Sequence, residues 1–300
     1  MSSENSKNII WLASYPKSGN TWFRVFLTNL QNESDEPADI NKLNSSPIAS
    51  SRTLFDEATG LSSGEMTFDE IDNLRPEVYE YLARKADKTV FHKIHDAYTC
   101  NLAGEPIIPE SATKGVLYFI RNPLDVAVSF AHHSSTSIDK MIESMNSMKH
   151  SFCSRSYKQS NQLRQKLLSW SAHVTSWTEE SPLPVHVVRY EDMLYRPEAT
   201  FAAAMSFAGL KFSREQIQKA LRFSNIKELQ RQEKKKGFKE KAPGASSFFR
   251  KGSTGDWQSE LTTKQAEKII EQHNTIMKRF GYLDKQGNPV TEKSNSFQNS

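Results

Sequence analysis

The stretch IIWLASYPKSGNTW, residues 9–22, decides the fold of this 300-residue chain. Its apolar start predicts a buried strand over residues 8–15, and the apolar spacing that follows predicts a helix over residues 21–30. Between the two lies a turn that contains Gly19. Because the free N–H groups at a helix N-terminus bind anions, a strand, a glycine-containing turn and a helix in this order predict an anion site.

Further strand-like runs occupy residues 89–95, 115–121 and 184–190, and a helical pattern begins at Leu124. Buried, β-branched strands separated by helices are typical of a parallel sheet that is covered on both faces. We therefore predict an α/β fold of the doubly wound type, a single domain with a central parallel sheet flanked by helices.

Local signals place several helices and the ends of the domain. The spacing of apolar residues from Leu163 to Trp177 predicts a helix with one buried face, and Gly281 is suited to end the last helix. We expect the domain to span residues 9–283, with disordered ends at 1–8 and 284–300. Three pairs have the spacing of capping boxes: Thr67 with Glu70, Ser213 with Gln216, and Thr262 with Gln265.

Composition excludes several classes of protein. A charged fraction of 25% and 37% apolar residues are ordinary for a globular domain. Two cysteines do not make a disulfide scaffold, and no apolar run approaches the length of a membrane span. The net charge of +4 favours an anionic ligand but does not indicate nucleic acid. We expect a cytoplasmic protein that binds neither nucleic acid nor a membrane.

The predicted anion site has charge and hydroxyl groups of its own. Lys17 adds a positive charge, and Ser18 and Thr21 add hydroxyl donors beside the N–H groups of residues 18–21. A Walker A loop places its lysine after the last glycine, whereas Lys17 precedes Gly19. The loop is therefore suited to a phosphate without being that of an ordinary NTPase.

Two more basic positions follow in the chain. Arg121 ends the strand at 115–121, and Ser129 lies two helical turns further on, so both can reach one phosphate. Arg250 and Lys251, next to Gly252, form a basic turn that can surround an anion.

The strand at 89–95 carries a candidate base. A period of two places Lys93 and His95 on one face and His92 on the other. Since histidine titrates near neutral pH, His95 is suited to general base catalysis.

Three blocks of this sequence resemble the sulfotransferases that use 3′-phosphoadenylyl sulfate (PAPS), of the cytosolic and bacterial small-molecule type. The family loop is Tyr-Pro-Lys-Ser-Gly-Thr-Thr-Trp, from which only Asn20 departs. The blocks RNPLDVAVS at 121–129 and FRKGSTGDW at 249–257 match two further family elements, and the resemblance spans roughly residues 9–281.

The resemblance implies that PAPS is the sulfuryl donor, that PAP is the product and that no metal is required. Its donor-binding residues would be Lys17, Ser18, Gly19, Asn20, Thr21, Trp22, Arg121, Ser129, Tyr190, Ser224, Arg250, Lys251 and Gly252. Among these, Trp22, Tyr190 and Ser224 would lie at the adenine, although the family's Thr-Ser-Phe element reads Ser224-Asn225-Ile226 here. His95 would be the base, with Lys17 and Lys93 as its catalytic partners.

Two alternatives stay open at this point, a P-loop-type nucleotide kinase or ATPase and a non-catalytic nucleotide-binding protein. The acceptor is expected to be a small molecule that offers a hydroxyl, with an amine as the less favoured group. A homodimer is left open, because the family's dimer element Lys-x-x-x-Thr-Val-x-x-x-Glu falls on Gln258, Thr262, Thr263 and Glu267 here, so that only half of it is present.

Long polar stretches are expected to form the acceptor pocket. They cover residues 31–66, 96–114 and 132–160. The basic segment 231–241 is expected to be a solvated, mobile segment.

Overall fold

A computed structural model describes residues 7–155, 160–242 and 244–290. Its main sheet has the strand order β2-β1-β3-β6, and all neighbouring strands are parallel. β4 and β5 form a separate antiparallel pair. The strands are β1 Ile9–Ser14, β2 Val90–Ile94, β3 Thr113–Ile120, β4 Ser151–Phe152, β5 Gln165–Lys166 and β6 Val185–Arg189.

Helices cover both faces of this sheet, which confirms the predicted fold class. They are α1 Asn20–Gln31, α2 Arg52–Thr59, α3 Phe68–Lys85, α4 Pro123–Ser134, α5 Ile138–Asn146, α6 Trp170–Thr175, α7 Tyr190–Tyr195, α8 Pro197–Phe207, α9 Arg214–Phe223, α10 Ile226–Lys236, α11 Trp257–Glu260 and α12 Thr263–Arg279. All three predicted capping boxes are present, at the starts of α3, α9 and α12. None of the helices within the described residues is both long and apolar enough to span a membrane.

The two cores follow from the alternation of side chains along the strands. On β1, Trp11 and Ala13 belong to one apolar cluster, and Ile10 and Leu12 belong to the other. Since successive strand residues point to opposite faces, a strand buried on both sides must be apolar throughout. Residues 9–13 of β1 are all apolar and buried, and β1 lies inside the sheet with β2 and β3 beside it.

The prediction of a helix from Leu163 to Trp177 was wrong for the first half of that range. Residues 165–166 form β5, Leu168 has a positive φ of 58°, and α6 begins only at Trp170, where Ser169 caps it. Leu163 and Leu167 are nevertheless fully buried. The apolar spacing therefore predicted correctly which residues are buried, but not the helix, because an extended segment can also place apolar side chains in a core.

The predicted ends of the domain fall partly outside the described residues. Asn8 donates hydrogen bonds to the carbonyls of Ala83 and Ala86, so the chain joins the fold from there. Residues 284–290 form a turn closed by a hydrogen bond from the N–H of Val290 to the carbonyl of Tyr282. The tail beyond this turn lies outside the described residues, and the domain limits stay a prediction.

The sheet places the predicted site residues together at the carboxyl ends of its strands. β1 ends just before the loop with Lys17, β2 ends just before His95, and β3 ends just before Arg121. Tyr190 follows β6 directly. Because parallel strands point the same way, their carboxyl ends meet at a single crevice.

Candidate active site

A cleft of about 1070 Å³ opens at this edge of the sheet. We divide its lining into two parts. The Lys17 half comprises residues 16–17, 19–22, Arg121, Ser129, Tyr190, 225–226 and 249–253. The Glu240 half comprises Arg24, 45–48, Lys93, His133, 161–162 and 239–242. His95 also lines the cleft.

The loop before α1 is held in an unusual backbone conformation. Lys17 and Gly19 have positive φ angles of 72° and 99°. A Cβ on Gly19 would lie 2.8 Å from Cδ2 of Tyr190, so this position requires glycine. Asn20, the one departure from the family loop, donates from Nδ2 to the carbonyl of Leu12 at 2.7 Å. That bond ties the start of α1 back to β1.

Lys17 carries its charge in a place that disfavours it. Its Nζ lies 4.2 Å from the centre of the Phe248 ring. Burial, together with Arg121 and Lys93 nearby, lowers the pKa of Lys17 to about 7. Glu233 opposes this shift but does not cancel it. The Lys17 half is therefore a site of uncompensated positive charge.

Arg121 is fixed by contacts that leave donors unused. Its guanidinium donates to the carbonyls of Lys17 and Ser253, at 3.3 and 3.0 Å, and lies over the ring of Tyr190 at 4.3 Å. Its Nε and the Oγ of Ser18 are buried, and neither has a hydrogen-bond partner among the described residues. Buried donors are normally satisfied, so these two fit a bound anion such as a phosphate.

The basic turn at 250–252 packs closely against α10. A Cβ on Gly252 would lie 2.5 Å from Cγ1 of Ile226, which requires glycine there. Arg250 pairs with Asp256 at 2.9 Å, and Lys251 approaches the same carboxylate at 3.3 Å. Both cations thus line the cleft while bound to acids of their own segment.

The predicted adenine residues are only partly brought together. Trp22 and Tyr190 meet edge to face with ring centres 5.9 Å apart, and the indole N–H of Trp22 donates to the carbonyl of Ser224 at 2.9 Å. Ser224 itself is fully buried, and its hydroxyl donates to the carbonyl of Ala220. Asn225 and Ile226, not Ser224, line the cleft.

His95 is oriented by the end of β1. Its Nδ1 lies 2.8 Å from the carbonyl oxygen of Ser14, so this nitrogen carries the proton and the lone pair is at Nε2. Burial and the charge of Lys93 hold the pKa of His95 well below its usual value. The imidazole is therefore neutral with a free lone pair at Nε2, but it is a weaker base than the near-neutral titration expected from the sequence implies.

A partly buried ion-pair cluster adjoins His95 through Lys93. Glu240 accepts from Lys93 Nζ at 3.0 Å and from Arg24 Nη1 at 2.7 Å. Burial alone would raise the pKa of Glu240, but these two cations lower it to about 2. The prediction that 231–241 is a solvated segment is confirmed for the exposed lysines 234–236 at the end of α10, but it was wrong for Glu240, which is tied to the cleft.

The sequence analysis did not predict three side chains that line the Glu240 half. They are Arg24, His133 and Glu240. Arg24 carried a signal, since it is a charged residue within the apolar pattern of α1, where it is 7% exposed. Nothing in the local sequence marked Glu240 as a site residue, because its partners Arg24 and Lys93 are far away in sequence. Of the stretches expected to wall the acceptor pocket, 31–66 and 132–160 contribute residues to the cleft and 96–114 does not.

The described residues hold no group of three or more His, Cys, Asp or Glu side chains arranged to bind a metal ion.

Comparison with known proteins agrees with this geometry. A family model described as "Sulfotransferase domain" matches residues 7–281. Cytosolic sulfotransferase 1 of Arabidopsis thaliana is 27% identical over 274 residues, which cover 87% of this chain and 76% of that protein. Sulfotransferase 1A1 of Canis lupus familiaris is 23% identical over 278 residues, which cover 90% and 83%.

Solved structures share the fold. The mouse sulfotransferase SULT7A1 complexed with PAP aligns with a TM-score of 0.56 and 18% identity, over 95% of this chain and 92% of the other. Retinol dehydratase in complex with androsterone and the inactive cofactor PAP aligns with a TM-score of 0.58 and 18% identity, over 91% and 81%. These similarities do not favour the two alternatives, a nucleotide kinase or ATPase and a non-catalytic nucleotide-binding protein.

Proposed function

The chain belongs to the sulfotransferase family, and on that premise we propose that His95 is the base of its transfer reaction and that the Lys17 half holds the donor. The enzyme moves a sulfuryl group from PAPS to a small-molecule acceptor, and PAP is left. The observation that carries the proposal is the hydrogen bond from His95 Nδ1 to the carbonyl of Ser14, which fixes the lone pair at Nε2.

The Lys17 half fits a nucleotide with several phosphate groups. The N–H groups of residues 18–21 and the side chain of Lys17 would hold the 5′-phosphate, as in other helix N-terminal anion sites. Arg121, Ser129 and the basic turn at 250–252 would hold the 3′-phosphate. Ser18 Oγ and Arg121 Nε, which have no hydrogen-bond partner among the described residues, support this assignment. The 5′-phosphate would satisfy the first and the 3′-phosphate the second.

His95 would accept the proton of the acceptor hydroxyl at Nε2 while the acceptor oxygen bonds to sulfur. The carbonyl of Ser14 stabilises the imidazolium that forms. Lys17 would stabilise the negative charge that grows on the 5′-phosphate oxygen as its bond to sulfur breaks. Lys93 would orient the acceptor, and holding the reactants in line supplies much of the rate.

The acceptor, the location and the assembly are also proposed. We favour a small hydroxyl compound as acceptor and the cytoplasm as location, which the names of cytosolic relatives support. We propose no nucleic-acid partner. The four positions of the dimer element, of which Thr262 and Glu267 keep the family residue, are exposed on or beside α11 and α12, where a second copy could reach them.

His95→Ala tests the assigned base. We expect turnover to fall by roughly 10²–10⁴-fold, the usual contribution of a general base, with PAP affinity within about twofold of wild type. The matched control is His186→Ala, since His186 stacks on Phe207 and does not line the cleft. Product formation is followed by mass spectrometry and PAP affinity by calorimetry. Turnover near wild type in the His95 variant would remove the residue from its role.

A further inference from the structure

The Glu240 half carries a second recognition feature, and we propose that it selects a neutral, polyhydroxylated acceptor through the Arg24–Glu240 pair. This inference rests on the proposed function and names the substrate class of the same cleft.

Arg24 presents donors to the cleft. Its guanidinium lies on α1 with the side chain 9% exposed, and it donates from Nε to Ser45 Oγ at 2.9 Å and from Nη1 to Glu240 Oε1 at 2.7 Å. A guanidinium has five N–H donors, and these two contacts use two of them. The rest of the group lies at the wall of the cleft.

Glu240 presents acceptors beside those donors. Each of its oxygens takes one cation, Arg24 on Oε1 and Lys93 on Oε2. A carboxylate has about four acceptor positions, so about two stay free. The side chain is 31% exposed, which leaves it open to a ligand. A hydroxyl group donates and accepts at once, so neighbouring hydroxyls match a guanidinium and a carboxylate that stand side by side.

The charges decide between classes of acceptor. Lys239 and Lys241 also line this half, but an anionic group at the Arg24–Glu240 pair would have to displace Glu240 or lie against it. A cationic acceptor would meet Arg24 and Lys93. An apolar acceptor would strip water from a cluster that is already poorly solvated, without replacing the lost hydrogen bonds. A neutral molecule with several hydroxyls avoids all three costs.

The neighbouring lining is mixed, with four polar side chains among apolar ones. Ser45, Ser46, Asn161 and Gln162 line the same cleft beside Pro47, Ile48 and Phe152. His133 also lines it, and its Nδ1 is buried without a hydrogen-bond partner in the described part of the chain. A ligand hydroxyl would satisfy this atom, whereas the plain ring of a phenol would not.

The first experiment compares acceptor classes on the wild-type enzyme with saturating PAPS. The neutral class is a set of methyl glycosides of glucose, galactose and mannose, the apolar class is 2-naphthol, and the anionic class is glucose 6-phosphate. We expect kcat/KM for the best glycoside to exceed the other two by about tenfold or more, equal to about 1.4 kcal/mol. Preference for 2-naphthol or for glucose 6-phosphate would overturn the inference.

The second experiment uses Glu240→Gln, with Glu143→Gln on the exposed side of α5 as the control. We expect KM for the best glycoside to rise by about tenfold, because an amide N–H₂ would face the donors of Arg24 and Lys93. PAP affinity should stay near wild type, and kcat/KM for 2-naphthol should fall by clearly less than kcat/KM for the glycoside, since any loss with 2-naphthol comes through Lys93. If kcat/KM falls by the same factor for both acceptors, Glu240 acts only through Lys93 and the inference is overturned. An unchanged KM for the glycoside would overturn it as well.

The two proposals fail in different ways. Sulfation of 2-naphthol alone would refute the acceptor class and leave the proposed function standing. PAP binding without a sulfated product from any of the three classes would count against the proposed function, and the inference would fall with it.

Discussion

The two halves of the cleft balance their charges differently. In the Lys17 half, Lys17 has a pKa lowered to about 7 and Arg121 has a buried Nε without a hydrogen-bond partner among the described residues. In the Glu240 half, Arg24 and Lys93 share the carboxylate of Glu240. Lys17 and Arg121 therefore require an anion from outside, whereas Arg24 and Lys93 already share one within the protein.

This difference assigns the ligands. A donor with several phosphate groups relieves the repulsion in the Lys17 half, so its binding energy comes from charge that the fold has left uncompensated. The Glu240 half gains little from another charge and selects by hydrogen bonding. His95 lies between the donor loop and Lys93, where it can act on an acceptor held by the second half.

Among the substitutions that test this difference between the halves, removing the charge of Lys17 should lower catalytic efficiency most. We expect Lys17→Met to lower kcat/KM by roughly 10²–10³-fold, because the growing charge on the leaving oxygen loses its main stabilising cation. Lys42→Met, a change on a partly exposed lysine that does not line the cleft, is the control. Rates of product formation measured by mass spectrometry check this, and a loss below about threefold would show that the Lys17 half does not depend on its lysine.

Removing Arg121 should have a smaller effect that is confined to donor binding. We expect Arg121→Ala to weaken PAP by roughly 10–100-fold, the usual value of hydrogen bonds between charged groups, while KM for the acceptor stays within about twofold. Calorimetry with PAP measures the first quantity and steady-state kinetics the second. Equal losses for PAP and acceptor would mean that Arg121 supports the whole cleft and not the donor half alone.

The sequence predicted the Lys17 half much better than the Glu240 half. The strand, turn and helix at 9–30 are contiguous, so their backbone geometry and the position of Lys17 follow from local rules. Lys93 and His95 were placed on one face by the period of a strand. Glu240 reaches Lys93 across 147 residues, and no local pattern encodes such a contact.

Errors arose where a local pattern had two structural solutions. Leu163 and Leu167 are buried as predicted, but the left-handed conformation at Leu168 and the pairing of β4 with β5 replace the expected helix. Ser224 aligns with a family position, yet its hydroxyl bonds to Ala220 in its own helix. In both cases the surrounding tertiary structure, and not the spacing, decided the outcome.

The most direct test of the charge contrast is the number of protons taken up when PAP binds at about pH 8. Below about pH 7 Lys17 is already charged and PAP affinity is at its full value, whereas above it Lys17 must gain a proton, so affinity falls by up to about tenfold per pH unit. At about pH 8 the phosphate groups of PAP are ionised and His95 is neutral, so neither obscures the signal.

Calorimetry in two buffers of different ionisation enthalpy measures this uptake. We predict close to one proton per PAP for the wild-type enzyme and for Glu240→Gln, and none for Lys17→Met. Binding without proton uptake in the wild-type enzyme would contradict the account, because Lys17 would then be charged already and the Lys17 half would not lack an anion.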